Sequence, residues 1–188
     1  MVVEVFRTSP MDLRSVLVEI HTALAGEGIE HALIGGLALA AHGSARATVD
    51  VDLLADGERA DTIDRLLRER GYACLLRTEH VGNYASDLPE RGRVDFLFAR
   101  RAHGKAMLER AVVADLLGSR LRVVDPSDLI GLKVQSSSND PSRRHRDLAD
   151  IGWLLEHASL EMDRVREYFR LFDREEELDV LLAEVAKR

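Results

Sequence analysis

The chain has 188 residues, of which 46% are hydrophobic and 31% are charged, which is ordinary for one globular domain with or without a helical extension. Acidic residues outnumber basic ones by 33 to 26, so the formal charge is −7. This balance disfavours a broad surface that coats nucleic acid but is compatible with a local basic patch. Cys74 is the only cysteine and cannot form an internal disulfide. Because we also find no signal peptide and no apolar run long enough to span a bilayer, we expect a cytoplasmic protein without a membrane partner.

The first two thirds of the chain predict helices and strands that alternate. Residues 1–6 suit a short strand or a packed arm, and Ser9-Pro10 suits the start of a helix. The buried stripe of that helix consists of Leu13, Val16, Leu17, Ile20 and Leu24. Further helices are predicted over residues 37–42, 58–70 and 105–111. Strands are predicted over residues 31–34, 50–54, 72–77, 81–86, 93–98, 111–117 and 120–124, the last two as a β-hairpin.

The composition changes at Asp125-Pro126-Ser127, which predicts the start of a helix. A polar loop is predicted over residues 136–141, and helices follow over residues 143–156, 161–172 and 174–186. In the first of these three helices, hydrophobic spacing places Asp147 and Asp150 along a polar edge. We therefore expect an α/β core over residues 1–124 and a helical part over residues 125–188 that packs on it.

The segment from Leu33 to Leu54 contains the residues that most suggest chemistry. Gly35-Gly36 opens a short predicted helix, where small residues and free backbone N–H groups suit a phosphate. Asp50 and Asp52 lie two positions apart on the next strand, so both side chains project from the same face. Two carboxylates held side by side repel one another, and a divalent cation with hard oxygen ligands is the usual solution.

A third acid, Asp95, lies in an apolar strand, where its burial is costly unless the carboxylate is paired or binds a metal. Each feature alone has a simpler explanation. A glycine pair is usually a structural turn, an Asp-x-Asp pair can lie on a solvated strand, and a lone aspartate can lie at a strand end. The combination is far more specific than any of its parts.

The combined pattern resembles the nucleotidyltransferase superfamily of the polymerase-beta type, in which a glycine pair, a spacer, hydrophobic-Asp-hydrophobic-Asp and a third strand acid follow in this order. The longer form, Gly-Gly-x-Ala-x-Ala-x-His-Gly and then Arg-x-Thr-x-Asp-x-Asp-Leu-Leu, resembles AbiEii-type abortive-infection and toxin-like nucleotidyltransferases. Their later helical lysine and basic-Asp-hydrophobic-x-Asp motif are matched by Lys133 and by residues 146–150. The resemblance implies an α/β fold in which helices flank a mixed sheet, with a C-terminal helical part.

The same resemblance implies an enzyme that moves a nucleoside monophosphate from an NTP to an acceptor hydroxyl. Asp50, Asp52 and Asp95 would hold two Mg²⁺ ions, and Asp95 would also help to deprotonate the acceptor. Lys133 would act with these acids in catalysis. The implied nucleotide-binding residues are Gly35, Gly36, Arg46, Thr48, Lys133 and Asp147.

Several of these roles have plain alternatives. Arg46 and Lys133 would neutralise the triphosphate, yet Lys133 also suits a solvated helix lysine. Thr48 would orient Arg46, or it is simply a β-branched residue that starts a strand. Asp147 and Asp150 would orient one of these cations by salt bridges, or they only keep a helix face soluble.

For the acceptor we expect RNA, with tRNA as the first candidate, in a toxin–antitoxin or phage-defence setting that includes a cognate antitoxin or toxin protein. The single basic cluster, Arg143, Arg144 and Arg146 with His145, suits phosphate contacts or a solvated face. Two alternatives stay open: an acceptor that is a small molecule of the aminoglycoside kind, and a non-catalytic, antitoxin-like binding module.

Overall fold

The computed structural model describes residues 11–45 and 48–187. Within these residues seven strands form one mixed sheet in the order β3-β4-β5-β2-β1-β7-β6. The strands are β1 (His31–Leu33), β2 (Asp50–Asp56), β3 (Ala73–Arg77), β4 (Val81–Ala85), β5 (Arg93–Ala99), β6 (Val112–Leu116) and β7 (Ser119–Val123). The helices are α1 (Leu13–Gly26), α2 (Gly35–Ala41), α3 (Ala60–Glu69), α4 (Ala102–Arg110), α5 (Pro126–Asn139), α6 (Arg144–His157), α7 (Met162–Arg170) and α8 (Glu175–Val185). This arrangement confirms the predicted α/β class with a mixed sheet and flanking helices.

Strand β2 lies at the centre of the sheet, antiparallel to β1 and parallel to β5. Strand β1 in turn runs parallel to β7, whereas the β3–β4, β4–β5 and β6–β7 pairs are antiparallel. Every described strand precedes residue 124, and only helices follow it. The predicted meander and the predicted β6–β7 hairpin are both present.

The alternation along β2 explains how one strand serves both the core and a cleft. Val51 and Leu53 are buried, whereas Asp50 and Asp52, which alternate with them, keep partial access to solvent. The hydrophobic core continues from this sheet into the C-terminal helices, where Ile130 of α5 is fully buried. The helical part therefore shares one core with the sheet, which fixes α5 and α6 over it.

Helix α1 begins at Leu13, where the Asp12 side chain accepts a hydrogen bond from the Ser15 backbone N–H at 3.1 Å. An N-cap of this kind satisfies one of the free N–H groups of the first turn. Ser9-Pro10 and the predicted strand or arm over residues 1–6 lie outside the described residues, but the predicted helix start is too early, because Met11 and Asp12 are not helical.

The prediction of a loop over residues 136–141 is wrong for its first part, because α5 continues to Asn139. Serine is helical here because its hydroxyl finds a partner along the same helix. Ser137 Oγ donates to the Lys133 carbonyl at 2.9 Å, and Ser138 Oγ donates to the Val134 carbonyl at 2.8 Å. The loop itself is reduced to Asp140 and the short 3-10 turn Pro141–Arg143.

Among the described helices, none combines the length and the apolar character that crossing a membrane requires.

Candidate active site

Three acids lie on two adjacent parallel strands. Asp52 of β2 and Asp95 of β5 are direct partners in the register, and Asp50 lies two residues before Asp52. Neighbouring strands are about 4.8 Å apart, and side chains two residues apart share a face, so the three carboxylates lie on one face of the sheet. All three are half-buried. The structure thus brings together the predicted metal-binding acids at the start of β2 and β5.

The electrostatics of Asp52 show that these charges interact. The pKa of the Asp52 carboxyl is raised from 3.8 to about 6, first by burial and then by the negative charges of Asp95 and Asp50. The positive charges of Lys133 and Arg143 oppose this rise. Two cations from the helical part therefore face the acids of the sheet, and the local charge remains negative.

A divalent cation fits this site by the chemistry of its donor groups, since carboxylate oxygens are hard ligands and their mutual repulsion would be relieved. The side chains do not yet form a closed metal cage. Among residues 11–45 and 48–187, no three acidic, histidine or cysteine side chains are arranged so that they could enclose an ion. Asp95 is instead held from the side, since Asn83 Nδ2 donates to Asp95 Oδ1 at 2.8 Å and Arg93 lies 3.4 Å from Asp95 Oδ2.

The glycine pair lies directly against the acidic strand. Gly35 has a φ of +64°, and a Cβ at this position would lie 2.7 Å from Asp52 Cγ. A Cβ at Gly36 would lie 2.7 Å from Thr48 Oγ1. Both glycines are thus required by the close approach of β2 to the turn, whether or not a phosphate binds there. Ile34 N–H also donates to the Asp52 carbonyl at 3.0 Å, which fixes the turn to the strand.

Thr48 leads the chain into β2, where its hydroxyl donates to the Asp50 carbonyl at 3.4 Å. This long bond and the contact with Gly36 place Thr48 between the glycine turn and the acids. Arg46, predicted to bind the triphosphate, lies outside the described residues, so the predicted contact between Thr48 and Arg46 stays a prediction.

Lys133 is buried between two carboxylates of α6. Its Nζ lies 3.1 Å from Asp147 Oδ1 and 2.7 Å from Asp150 Oδ2, and only 5% of the residue is exposed. The alternative of a solvated helix lysine is therefore wrong. The predicted polar edge at Asp147 and Asp150 is also wrong, because both are buried against Lys133, whose charge compensates theirs. The predicted salt bridges to Lys133 are present.

All four residues of the predicted basic cluster are exposed, and two of them lie near acidic side chains. Arg144 pairs with Glu177 of α8, whereas Arg143 points toward Asp147 with its Nε 4.0 Å from Asp147 Oδ2. His145 and Arg146 are exposed at the start of α6. All four residues therefore remain accessible to solvent, and the choice between phosphate contacts and a solvated face stays a prediction.

Two site residues escaped the sequence analysis or were assigned elsewhere. No motif indicated Asn83, whose position beside Asp95 follows from the antiparallel register of β4 and β5. A polar residue between apolar ones in a strand is the only signal that could have found it. Arg143 was predicted to contact phosphate or to lie on a solvated face, and its charge also lowers the pKa of Asp52.

One cavity of about 470 Å³ is bounded by the end of α2, the start of α5 and the end of α6, with His42, Asp125, His157 and Glu161 among its lining residues. None of the predicted catalytic residues lines it.

The mixed sheet with its flanking helices is consistent with the nucleotidyltransferase fold, and the match to a known family agrees. Residues 17–187 match the family described as nucleotidyl transferase AbiEii toxin, type IV toxin–antitoxin system. Because the match covers most of the chain, this protein belongs to the AbiEii nucleotidyltransferase family and is an enzyme. No curated protein sequence matches the chain.

Solved structures of nucleotidyltransferases have the same fold. The antibiotic-resistance factor ANT(2'')-Ia is similar over 93% of this chain and 91% of its own, with a TM-score of 0.56 and 15% identity. The lincosamide antibiotic adenylyltransferase LnuA, solved with lincomycin bound, has a TM-score of 0.56 and 14% identity over 76% of this chain and 98% of its own. An antigenic nucleotidyltransferase-like protein from Paracoccidioides brasiliensis has a TM-score of 0.56 and 18% identity over 93% of this chain and 95% of its own. At these identities the likeness shows the fold alone.

Proposed function

We propose that this nucleotidyltransferase uses Mg²⁺ to transfer a nucleoside monophosphate from an NTP to a hydroxyl group at an RNA end, with tRNA as the first candidate. The observation that carries the proposal is the register of two parallel strands, which pairs Asp52 with Asp95 and leaves Asp50 on the same face. The negative charges of Asp95 and Asp50 raise the pKa of Asp52, and a bound cation would relieve this repulsion.

Asp50, Asp52 and Asp95 would hold two Mg²⁺ ions. When bound, the ions would neutralise the triphosphate and stabilise the attacking and leaving oxygens of an in-line displacement. The acceptor oxygen would bond to the α-phosphorus as the bond to the pyrophosphate oxygen breaks. Asp95, oriented by its hydrogen bond from Asn83, would accept the hydroxyl proton.

The remaining residues would bind the donor. Gly35 and Gly36 leave the backbone of the turn accessible beside Asp52, where a phosphate would find N–H groups at the start of α2. Lys133, held in a fixed position by Asp147 and Asp150, would supply a point charge for the triphosphate. Arg46 would supply a second charge from the loop before β2. Since the donor is an NTP, we expect the protein to act in the cytoplasm.

For the acceptor, two observations support RNA. The family description names a toxin, and exposed His145 and Arg146 provide a small basic site at the start of α6, one turn from Asp150. With few phosphate contacts and a net charge of −7, RNA binding should be modest and should weaken steeply with salt. We further propose that the chain works with a cognate protein partner, as its antitoxin or its toxin.

A small-molecule acceptor is the alternative for this site, and it would need a pocket beside the reacting acids. The cavity of about 470 Å³ that contains Asp125 and Glu161 is a different one. Membership of an enzyme family disfavours a non-catalytic binding module.

The test is to incubate the protein with each α-labelled NTP in turn, with Mg²⁺ and with total RNA, total protein or an aminoglycoside. We expect label in RNA for one or more NTPs, and no label with Asp52→Asn. The matched control is Asp115→Asn, since Asp115 is an exposed strand aspartate of β6 that lies outside the site. Label only in protein or only in the aminoglycoside would refute the RNA acceptor. No label in any fraction would refute the proposed transfer itself.

A further inference from the structure

Arg93 lies on the same face of the sheet as the three acids of β2 and β5. It is the direct register partner of Asp50, and it precedes Asp95 by two residues on β5. Its Nη2 donates to Asp95 Oδ2 at 3.4 Å, which is a long bond. The Arg93 side chain is 49% exposed. The strand register and this contact therefore place a solvent-accessible cation beside the candidate active site.

Most of the hydrogen-bonding capacity of Arg93 is available to a ligand. A guanidinium has five N–H donors, and among the described residues only Asp95 accepts from this one. Arg91, two residues earlier, is held by the fold instead, since it donates to the Arg70 carbonyl and lies 3.5 Å from Glu19 Oε1. A partly exposed ion pair contributes little to stability, so the pairing with Asp95 does not by itself explain Arg93.

The face that contains Arg93 continues away from the acids. Register partners on adjacent strands share a face, so this face extends from β5 across β4 to the edge strand β3. Four residues of these two strands lie on it with exposed or half-buried side chains: Ala73, Leu76, Asn83 and Ala85. We call these four residues the β3–β4 surface. Because the residue beside Arg93 is an alanine, Ala85, the guanidinium is accessible from this side.

The sheet order separates Arg93 from the turn that is proposed to bind the NTP phosphates. Gly35 follows β1, which pairs with one side of β2, whereas Arg93 and Asp95 lie on β5 at the other side. In an in-line displacement the attacking and leaving oxygens lie on opposite sides of the phosphorus. With the pyrophosphate at the glycine turn, the acceptor would therefore approach from β5, across the β3–β4 surface.

We propose that the β3–β4 surface is the acceptor site of this enzyme and that Arg93 binds a phosphate of the acceptor there. The proposal rests on the proposed function, because it requires transfer at the acids of β2 and β5. A guanidinium suits a phosphate, and the exposed Leu76 suits the sugar or base of a nucleotide. The end of an RNA strand has these groups beside its terminal hydroxyl. An acceptor with several amino groups would instead be repelled by the charge of Arg93.

The experiment measures binding of a fluorescent single-stranded RNA oligonucleotide with a free 3′ hydroxyl, by anisotropy, without NTP and at several salt concentrations. For Arg93→Ala we expect the dissociation constant to rise roughly tenfold. The slope of log K against log salt should become shallower by about 0.7, the value for one phosphate contact on a single strand. Arg93→Lys should keep the wild-type slope, because it keeps the charge.

The same variants are titrated with a non-hydrolysable α,β-methylene NTP analogue and Mg²⁺ by calorimetry. Arg93→Ala should bind this analogue as the wild type does, because Arg93 is assigned to the acceptor. The matched control is Arg120→Ala, which removes an exposed strand arginine of β7 and should change neither RNA nor analogue binding. Thermal unfolding of each variant verifies that it is folded.

A pair of variants at Ala85 tests the surface beside Arg93. Ala85→Glu places a negative charge next to the guanidinium and should weaken RNA binding roughly tenfold, with analogue binding unchanged. Ala85→Gln has a side chain of the same size without the charge and should bind RNA more tightly than Ala85→Glu. Equal RNA affinities of these two variants would refute a phosphate site at this place.

The outcomes separate this proposal from the proposed function. If the wild type binds RNA and Arg93→Ala binds it equally well at every salt concentration, the role of Arg93 is refuted and the proposed function stands. An equal loss of analogue affinity in Arg93→Ala would show that Arg93 does not serve the acceptor. An equal loss of RNA affinity in Arg120→Ala would reduce the effect to general electrostatics, and the assignment would be wrong. A wild type that binds no NTP analogue would overturn the proposed function and this proposal with it.

Discussion

Asp52→Asn should make the metal-free protein more stable, even though it should abolish transfer. The pKa of the Asp52 carboxyl rises from 3.8 to about 6 on folding because burial and two neighbouring carboxylates oppose its ionised form. The folded state therefore binds this proton more tightly than the unfolded state, and stability falls as the pH rises from about 4 to about 6. A shift of about two pKa units corresponds to about 3 kcal/mol at pH values above both pKa values. Asparagine has no charge to ionise, so the variant should avoid this cost.

The assay is denaturant or thermal unfolding in a metal chelator between about pH 4 and pH 8, with Asp115→Asn as the control. Asp52→Asn should exceed the wild type by up to about 3 kcal/mol, or roughly 6 to 12 °C in Tm, above about pH 7, and the difference should vanish near pH 4. Mg²⁺ should then stabilise the wild type, by about 2.7 kcal/mol at a hundred times its dissociation constant, and not the variant. Equal stability of Asp52→Asn and wild type at every pH would refute the reasoning that the three carboxylates repel one another.

Two further substitutions test how the site is built. Lys133→Ala should destabilise the protein by about 3 to 5 kcal/mol in urea unfolding, because it leaves two buried carboxylates without their cation, and it should also weaken NTP binding. Lys105→Ala removes an exposed lysine that pairs with an exposed glutamate, so it should change neither the stability nor NTP binding. If Lys133→Ala had as little effect, the buried pairing of Lys133 would be contradicted. Gly35→Ala should lower the stability by about 1 to 2 kcal/mol because of the left-handed backbone alone, and by more because the new Cβ contacts Asp52. It should also abolish transfer. Gly152 lies in the middle of α6 with open space around it, so Gly152→Ala should instead stabilise the protein by about 0.5 to 1 kcal/mol. If both glycine variants changed the stability alike, the close approach of Gly35 to Asp52 would not be what requires a glycine.

The amino-acid sequence alone determined the kinds of element and the identity of the motif. Apolar and acidic residues alternate along β2, and side chains of a strand point to the same face at every second residue. This local pattern was enough to predict that Asp50 and Asp52 share a face and that Val51 and Leu53 are buried. Helical spacing likewise predicted α1, α3 and the C-terminal helices to within a few residues at each end. The serine run at the end of α5 was misjudged, because its hydroxyl groups bond within the helix and Arg174 contacts Ser137 and Ser138 from α8.

Tertiary structure alone decided which distant residues meet. The parallel register of β2 and β5 places Asp95 beside Asp52, and the register of β4 places Asn83 beside Asp95; neither register is encoded in a local period. Lys133 is buried because α5 and α6 lie against each other. The same contact buries Asp147 and Asp150 of α6, whose negative charges face the positive charge of Lys133. Three exposed arginines close together in the chain have different neighbours, because successive residues at a helix start point in different directions. Sequence proximity predicted an exposed basic cluster, while the packing of α6 and α8 decided which of its arginines lie near acids.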